Sequence, residues 1–213
     1  MKGFFNNKAQ TLIDLKIKKE KIPKLIKIKF DDYFKNKRKF LNKIGIFFRN
    51  KKIIIRSSFS NEDTNRSSNA GKYESYLNIN YNDFKEIDLK IKRLSKLKNK
   101  TKGENFFIQE MVKDVSFSGV VLTRNLEDYT KCININFFDG KNTEAVTSGR
   151  TETKSIVFFE NDKFKIPKKF FNLYLCVKEI IQFTNEPDLD IEFAVNNKGK
   201  VFILQVRKIV IPK

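Results

Sequence analysis

The sequence contains no histidine among its 213 residues. This absence excludes a Ser-His-Asp triad, an imidazole zinc site, a histidine general base and a phosphohistidine within the chain. Only two cysteines are present, Cys132 and Cys176, and they are too far apart for a CxxC motif. We interpret them as buried thiols of a cytoplasmic protein. No apolar run of about 18 residues occurs, so the sequence predicts no transmembrane helix.

Acidic residues are few: 25 Asp and Glu stand against 44 Lys and Arg, which gives a net charge of +19. Lys, Asn, Ile and Phe are frequent in every segment, a pattern typical of compositional bias without a partner that selects it. The alternative is an anionic ligand or partner, since a positive field attracts nucleotides and acidic molecules. The 22 Phe residues and the recurring Ile-rich runs indicate a folded chain.

Apolar periodicity and turn residues predict an α+β protein. Helices are predicted for 7–16, 31–42, 82–98 and 168–183, and strands for 25–30, 46–48, 51–58, 105–112, 117–124, 131–138 and 154–161. Two further strands are expected at the end of the chain. The polar segment 58–75 is predicted to be a long loop, which is typical of a functional or disordered segment. The change of pattern at 98–105 indicates a first lobe, residues 1–100, and a second lobe, residues 101–213, built on an antiparallel sheet.

The last two strands, within residues 188–209, predict a β-hairpin with a two-residue turn at Lys198-Gly199. In that register Asp190 pairs with Arg207 and Glu192 pairs with Gln205. A four-residue turn with the same centre would keep the register, whereas a loop of odd length would shift it. Strict alternation then predicts that one face is apolar and that these four polar residues share the other face. The predicted apolar face comprises Ile191, Phe193, Val195, Phe202, Leu204 and Val206, with Ala194, Val201 and Ile203 continuing the polar face.

Two interpretations of this polar cluster stand side by side. It is either a solvated face with an ion pair that contributes about 0–1 kcal/mol, or the rim of a ligand cleft. Carboxylate and amide oxygens suit a divalent cation such as Mg²⁺, and a neighbouring arginine suits a phosphate.

Six segments of the sequence form a recognisable series. They are IRSSFSNED (55–63), NAGKYESYLNI (69–79), FIQEMV (107–112), SGVVLTRN (118–125), EAVTSGR (144–150) and DIEFAVNNKGKVFILQVR (190–207). In this order they resemble one family, the nucleotide-binding ATP-grasp domain of phosphoenolpyruvate synthase, pyruvate phosphate dikinase and rifampin phosphotransferase. The resemblance covers nearly the whole chain, and NKAQTLIDL near its start fits the same pattern. It implies a two-lobed ATP-grasp fold that clamps ATP.

The resemblance also implies roles for individual residues. Lys8 and Arg56 match basic positions that contact phosphates, and Gly71 and Ser75 match the phosphate-covering loop. The hinge strand, which is expected to meet adenine through backbone hydrogen bonds and apolar contact, corresponds to Gln109, Glu110, Met111 and Val112. Glu192 and Gln205 match Mg²⁺ and phosphate ligands, with Asp190 as the neighbouring carboxylate. Arg207 matches an arginine that stabilises the transferring phosphate and, with Arg56, is the expected catalytic pair.

Several positions depart from the family pattern. FNN stands before Lys8 where the family has glycines, Phe59 and Ser60 replace small residues, and no proline follows Arg124. The segment FDGKNTEA (138–145) replaces a Gly-Leu-Gly element, so a ribose contact at Glu144 is left open. These departures favour a divergent branch with a different phosphate acceptor.

The family reaction is of the dikinase type: ATP, an acceptor and water give AMP, phosphate and a phosphorylated acceptor. The phosphoryl group passes through a phosphohistidine on a separate domain. Because this chain has no histidine, we expect it to be the ATP and Mg²⁺ binding part of a longer protein, or a subunit that works with one. Glutamine or pyruvate are the expected acceptors, and the composition favours the glutamine-kinase branch. Neither nucleic acid nor membrane is an expected partner.

Two rival interpretations remain. A basic nucleic-acid-binding module would concentrate its cations and stacking aromatics on one face, whereas here basic residues lie in nearly every segment. A catalytically silent ATP-grasp domain would have lost the polar set that this sequence retains, namely Arg56, Glu192, Gln205 and Arg207.

Overall fold

The computed structural model describes residues 4–5, 7–17, 22–59, 75–97, 104–140, 153–159 and 166–211. These residues form two compact units. The first unit contains the described residues of 23–111 together with 7–10, and the second contains those from 112 onward together with 4–5, 11–17 and 22. Within the described part of the chain, no helix is long and apolar enough to cross a membrane.

The first unit is a four-stranded antiparallel sheet with helices packed on one face. Its strands lie in the order β1-β4-β2-β3. A short helix, α1 (Lys8–Asp14), begins in this unit. The other elements are β1 (Leu25–Lys29), α2 (Phe30–Lys35), α3 (Lys37–Phe47), β2 (Lys52–Ser58), β3 (Ser75–Asn80), α4 (Phe84–Leu97) and β4 (Asn105–Glu110).

The core of the first unit lies between one face of this sheet and helices α2, α3 and α4. Alternate strand residues point into it because successive side chains of a strand face opposite sides. The strand residues buried in this core are Ile28, Ile53, Ile55, Ile79, Phe106 and Ile108, and the helices contribute Phe30, Tyr33, Leu41, Ile44, Ile87, Ile91 and Leu94.

The second unit is a five-stranded antiparallel sheet in the order β7-β6-β5-β8-β9. Helix α5 covers its apolar face, where the ring of Phe170 lies 4.9 Å from that of Phe137 and 5.5 Å from that of Phe117. The elements are β5 (Val115–Arg124), β6 (Lys131–Asp139), β7 (Lys154–Phe158), α5 (Lys168–Thr184), β8 (Leu189–Asn196) and β9 (Val201–Lys208).

The predicted α+β class and the antiparallel sheet of the second unit are confirmed. The predicted strand at 46–48 is wrong, because α3 runs through to Phe47. Leu41, Ile44 and Phe48 are all buried, and their spacing continues a helical stripe. Strand β4, which follows residue 100 in the sequence, pairs with β1 and β2 in the first sheet. The division into lobes 1–100 and 101–213 stays a prediction.

The predicted hairpin is correct in its outer half and wrong in its inner half. Asp190 pairs with Arg207 and Glu192 with Gln205, but a β-bulge then shifts the register, so that Phe193 faces Ile203. The strands are joined by residues 197–200 instead of a two-residue turn. At this connection the N–H groups of Asn196 and Gly199 donate to Lys200 O and Asn196 O. The inner apolar face therefore contains Val201 and Ile203 instead of Phe202 and Leu204.

At Gly119, strand β5 lies too close to the backbone of β6 to leave room for a side chain. A Cβ atom built there would lie 2.0 Å from the carbonyl oxygen of Asn136 and 2.8 Å from the Cα of Phe137. Both atoms belong to the backbone, so no side-chain rotation relieves the clash. By contrast, Gly199 has a φ of +72° but nothing within 4 Å of a built Cβ.

We therefore expect Gly119→Ala to destabilise the second unit more than Gly199→Ala does. The first substitution must displace a strand, at a cost of at least the roughly 1–3 kcal/mol of an overpacked core. The second places alanine in the left-handed region, which costs about 1–2 kcal/mol. Urea unfolding of both variants measures the difference. Equal losses, or a larger loss for Gly199→Ala, would contradict this description of the β5–β6 contact.

Candidate functional site

The polar face of the terminal hairpin, which we call the Glu192 face, consists of Asp190, Glu192, Gln205 and Arg207. Cross-strand pairing places these residues as two adjacent pairs on one side of the sheet. The guanidinium of Arg207 donates from Nε and from NH2 to Asp190 Oδ2, both at 2.7 Å. Their side chains are 26% and 14% exposed, so this pair is more sheltered than an ordinary surface ion pair.

The β-bulge lies immediately beside this face. Leu204 is the extra residue between the Glu192–Gln205 pair and the Phe193–Ile203 pair. Bulges bend a strand and re-aim the neighbouring side chain, and they are frequent next to active sites. Here Gln205 is only 2% exposed, although it belongs to the polar face.

The oxygen donors on the Glu192 face suit a Mg²⁺ ion that is bound together with a nucleotide. Glu192 supplies a carboxylate and Gln205 an amide oxygen on facing positions. Across the residues that the structure describes, there is no cluster of three or more His, Cys, Asp or Glu side chains. Mg²⁺ is usually held by one or two carboxylates together with substrate phosphates and water. The residues therefore suit a cation that arrives with a nucleotide.

A second pair of charged residues supports the strand that carries Asp190. Arg124 at the end of β5 donates from Nε to Asp188 Oδ1 at 2.6 Å, and its NH1 donates to the carbonyl of Tyr129. Thr123 Oγ1 accepts from the N–H of Leu189 at 2.6 Å. These contacts fasten the start of β8 to β5. The sequence analysis did not predict this role of Thr123 and Arg124, because it depends on the pairing of β5 with the distant strand β8.

In the first unit, Arg56 and Ser75 are brought together as a directly facing cross-strand pair of β2 and β3. Arg56 also faces Phe107 of β4, and its guanidinium carbon lies 5.6 Å from the centre of the Phe107 ring. The side of the sheet that carries these residues is opposite the apolar core. We call it the Arg56 face and define it by Lys27, Ile54, Arg56, Phe107 and Gln109.

Lys8 is positioned through the RSS element of β2. Ser58, which is fully buried, accepts a hydrogen bond from the N–H of Ala9 at 3.2 Å and donates to Asn7 Oδ1 at 2.8 Å. The residues on both sides of Lys8 are thereby tied to β2, two residues after Arg56. The sequence analysis quoted the RSS element but did not predict that its second serine anchors α1.

The predicted hinge residues form the end of β4 and the segment that follows. The N–H of Glu110 donates to Lys24 O at 2.8 Å and that of Met111 to Lys52 O at 2.9 Å, so both serve the sheet. Glu110 also accepts from Lys51 Nζ at 2.6 Å. Val112 is the first hinge residue beyond these bonds, and the two units divide between Met111 and Val112.

Gln109 is the hinge residue with an unexpected environment. It is 0% exposed, and neither amide atom of its side chain has a hydrogen-bond partner among the described residues. A buried polar group left in that state costs about 1–3 kcal/mol. Such a group is therefore a candidate for a ligand or a bound water.

Two predicted positions, Gly71 and Glu144, lie outside the described residues. The other predicted residues fall into two sets, one in each unit. Lys8, Arg56, Ser75 and the hinge residues to Met111 belong to the first unit, whereas Val112 and the Glu192 face belong to the second.

The architecture is that of the ATP-grasp fold. Among solved structures, the chain is similar to D-alanyl-alanine synthetase A from Vibrio cholerae O1 biovar eltor str. N16961, with a TM-score of 0.52 and 10% identity over 89% of this chain. It is also similar to D-alanine–D-alanine ligase from Helicobacter pylori, with a TM-score of 0.53 and 13% identity over 96% of this chain. At these identities the likeness concerns the fold alone.

Residues 6–174 match the family described as pyruvate phosphate dikinase, AMP/ATP-binding domain. This is well over half of the chain, and the chain therefore belongs to that family and is an ATP-binding domain. The match ends before the terminal hairpin, so the Glu192 face lies beyond the matched residues. No curated protein sequence matches the chain.

The chain spans about half the length of the two ligases, 50% of the Vibrio protein and 54% of the Helicobacter protein. The likeness therefore concerns one part of each ligase.

The anchoring of α1 by Ser58 can be tested by Ser58→Ala. The substitution leaves the N–H of Ala9 without its acceptor and removes one of the two donors to Asn7 Oδ1, which still accepts from the N–H of Gln10. We expect a loss of about 1–3 kcal/mol in unfolding free energy. Ser95→Ala is the matched control, because its Oγ bonds Lys92 O on an exposed helix surface; a change within about 0.5 kcal/mol is expected. Urea unfolding and hydrogen exchange at Ala9 measure both. Unchanged exchange at Ala9 in Ser58→Ala would refute the anchor.

Proposed function

We propose that this chain binds ATP with Mg²⁺ as the nucleotide-binding part of a dikinase-type phosphotransferase. The observation that carries the proposal is the Glu192 face. Two oxygen donors and an arginine are held there on one polar side of an ATP-grasp sheet. The residues are paired across strands, so the backbone fixes the spacing of their side chains before a ligand binds.

The first unit supplies contacts to the phosphates and to adenine. Lys8 and Arg56 neutralise phosphate charge, as a point charge and a planar fork, with Ser75 donating from the strand beside Arg56. Gly71, which lies outside the described residues, is proposed as a phosphate-loop position because a glycine permits close backbone approach to a ligand. Adenine is bound beside Gln109, whose buried amide gains a partner, through apolar contact with Met111 and through the backbone of Val112, because the N–H groups of Glu110 and Met111 already bond within the sheet.

In the second unit, Glu192 and Gln205 hold Mg²⁺, which supplies charge neutralisation at the phosphates when bound. Asp190 contributes the further carboxylate oxygen and, through its bonds to Arg207, also orients that guanidinium. Arg207 then meets the transferring phosphoryl group. Positioned cations of this kind contribute about 10³–10⁵-fold in phosphoryl transfer.

The chain has no histidine, so the histidine that carries the phosphoryl group lies on a domain outside these 213 residues, in the same longer chain or in trans. ATP, water and a small-molecule acceptor then give AMP, phosphate and the phosphorylated acceptor. Glutamine and pyruvate are the proposed acceptors. Cys132 and Cys176 are both buried and form no disulfide, which supports a reducing compartment, the cytoplasm.

Metal dependence of ATP binding tests the proposal. We expect ATP to bind more tightly with Mg²⁺ than in EDTA, because Glu192 carries a charge that repels phosphates unless a cation lies between them. Glu192→Gln should weaken Mg²⁺-ATP binding about tenfold or more, as expected for a lost charge-assisted contact, and should reduce the gain that Mg²⁺ provides. Titration calorimetry measures all four affinities. Equal ATP affinity with Mg²⁺ and in EDTA would contradict the assignment of a Mg²⁺ site.

The role of Arg207 can be separated from stability by two neighbouring substitutions. Arg207→Ala removes the two guanidinium donors from the sheltered carboxylate of Asp190, so we expect a loss of about 1–3 kcal/mol in unfolding free energy. The variant should still fold and should bind Mg²⁺-ATP more weakly. Val206→Asp is the contrast, because Val206 is 2% exposed and a buried unpaired charge is strongly destabilising. Unfolding by Arg207→Ala would show that Arg207 is structural, and unchanged ATP affinity would remove it from the site.

A further inference from the structure

Lys27 is a cation on the edge strand of the Arg56 face, and the roles above do not use it. It lies on β1 and is half-buried. Its Nζ donates to Gln10 Oε1 at 2.6 Å, and Gln10 lies in the first part of α1, two residues after Lys8. The ammonium group of a lysine has three donors, so this single bond leaves capacity for a ligand.

The partner of Lys27 is a neutral amide, whereas two other lysines of the same unit have carboxylate partners. Lys51 Nζ lies 2.6 Å from Glu110 Oε1 and Lys37 Nζ lies 2.6 Å from Asp88 Oδ2. Among the described residues, Lys27 forms no ion pair with a carboxylate. Removing a cation from water is unfavourable unless an anion or strong acceptor compensates it, and a neutral amide compensates less than a carboxylate or a phosphate does.

Strand pairing places Lys27 close to Arg56. Both residues are direct cross-strand neighbours of Phe107, one on β1 and the other on β2. With neighbouring strands about 4.8 Å apart, their Cα atoms are separated by roughly 10 Å. Because both side chains are long and stand on the same side of the sheet, their charged ends can reach one chain of phosphates. Gln109, with its unpartnered buried amide, is the next residue of β4 on this face.

We propose that Lys27 is an additional phosphate-contacting residue that, with Arg56 and Lys8, binds the polyphosphate chain of the nucleotide. This inference rests on the proposed function and adds a binding residue to the same site. The competing explanation is that Lys27 only holds α1 on the sheet through Gln10 and thereby places Lys8. The two explanations differ in whether the charge of Lys27 or its bond to Gln10 matters.

The test uses the full 213-residue chain and two probes, inorganic tripolyphosphate and Mg²⁺-ATP, titrated by calorimetry. Tripolyphosphate isolates the phosphate contacts from those to the base. The variants are Lys27→Met, which removes the charge, Lys27→Arg, which retains it, and Gln10→Leu, which removes the acceptor of the Lys27 bond on α1. Lys43→Met is the matched control, since Lys43 is exposed on α3, a helix that packs on the opposite side of the sheet. Melting curves check that each variant is folded.

We expect Lys27→Met to weaken tripolyphosphate binding about tenfold, the size of a lost hydrogen bond to a charged group. Lys27→Arg should recover most of that loss, and Lys43→Met and Gln10→Leu should stay within about twofold of wild type, as expected for a screened surface charge or a neutral contact. Mg²⁺-ATP should follow the same order.

Three results would overturn the inference, and each is distinguishable. If the wild type binds both probes and Lys27→Met binds them equally well, Lys27 contacts no phosphate and the proposed function stands. If Gln10→Leu weakens binding as much as Lys27→Met does, Lys27 acts only by placing α1. If the wild type binds neither probe, the proposed function itself fails, and the role of Lys27 fails with it.

Discussion

Antiparallel pairing with one apolar face is the constraint on which the rest of this protein depends. In both sheets the side chains of one face are buried under helices, so the alternate residues of each strand must stand on the other side. That second side carries Arg56 in the first unit and Glu192 in the second. The polar residues are thus placed by the burial of their apolar neighbours, and their spacing is the spacing of the strands.

Acidic side chains are scarce in this protein, and two of the partly buried ones form ion pairs at strand ends. With 25 acidic against 44 basic residues, one-to-one pairing would leave 19 cations without a carboxylate partner. The partly buried carboxylates Asp188 and Asp190 pair with the arginines at the ends of β5 and β9, where they hold strands and orient a guanidinium. A half-buried lysine such as Lys27, which bonds a neutral amide, is then a reason to look for an anionic ligand.

The sequence predicted the outer half of the terminal hairpin because polar and apolar residues alternate strictly from Asp190 to Glu192 and from Gln205 to Arg207. It did not predict the bulge, since the run from Val201 to Leu204 is wholly apolar and either register buries apolar side chains. The same ambiguity explains residues 46–48, where a short apolar run fits a strand or a helix. The bonds of Ser58 to Asn7 and Ala9 span about fifty residues of sequence, a separation at which local patterns carry no signal.

The central claim is that Mg²⁺-ATP binding depends on the polar faces of the two sheets, the Arg56 face and the Glu192 face. The most direct measurement is the affinity of Mg²⁺-ATP for the wild type and for two variants, Arg56→Ala and Glu192→Gln. The account predicts a weaker affinity in each variant, with the fold retained in both. An unchanged affinity in either variant would contradict it.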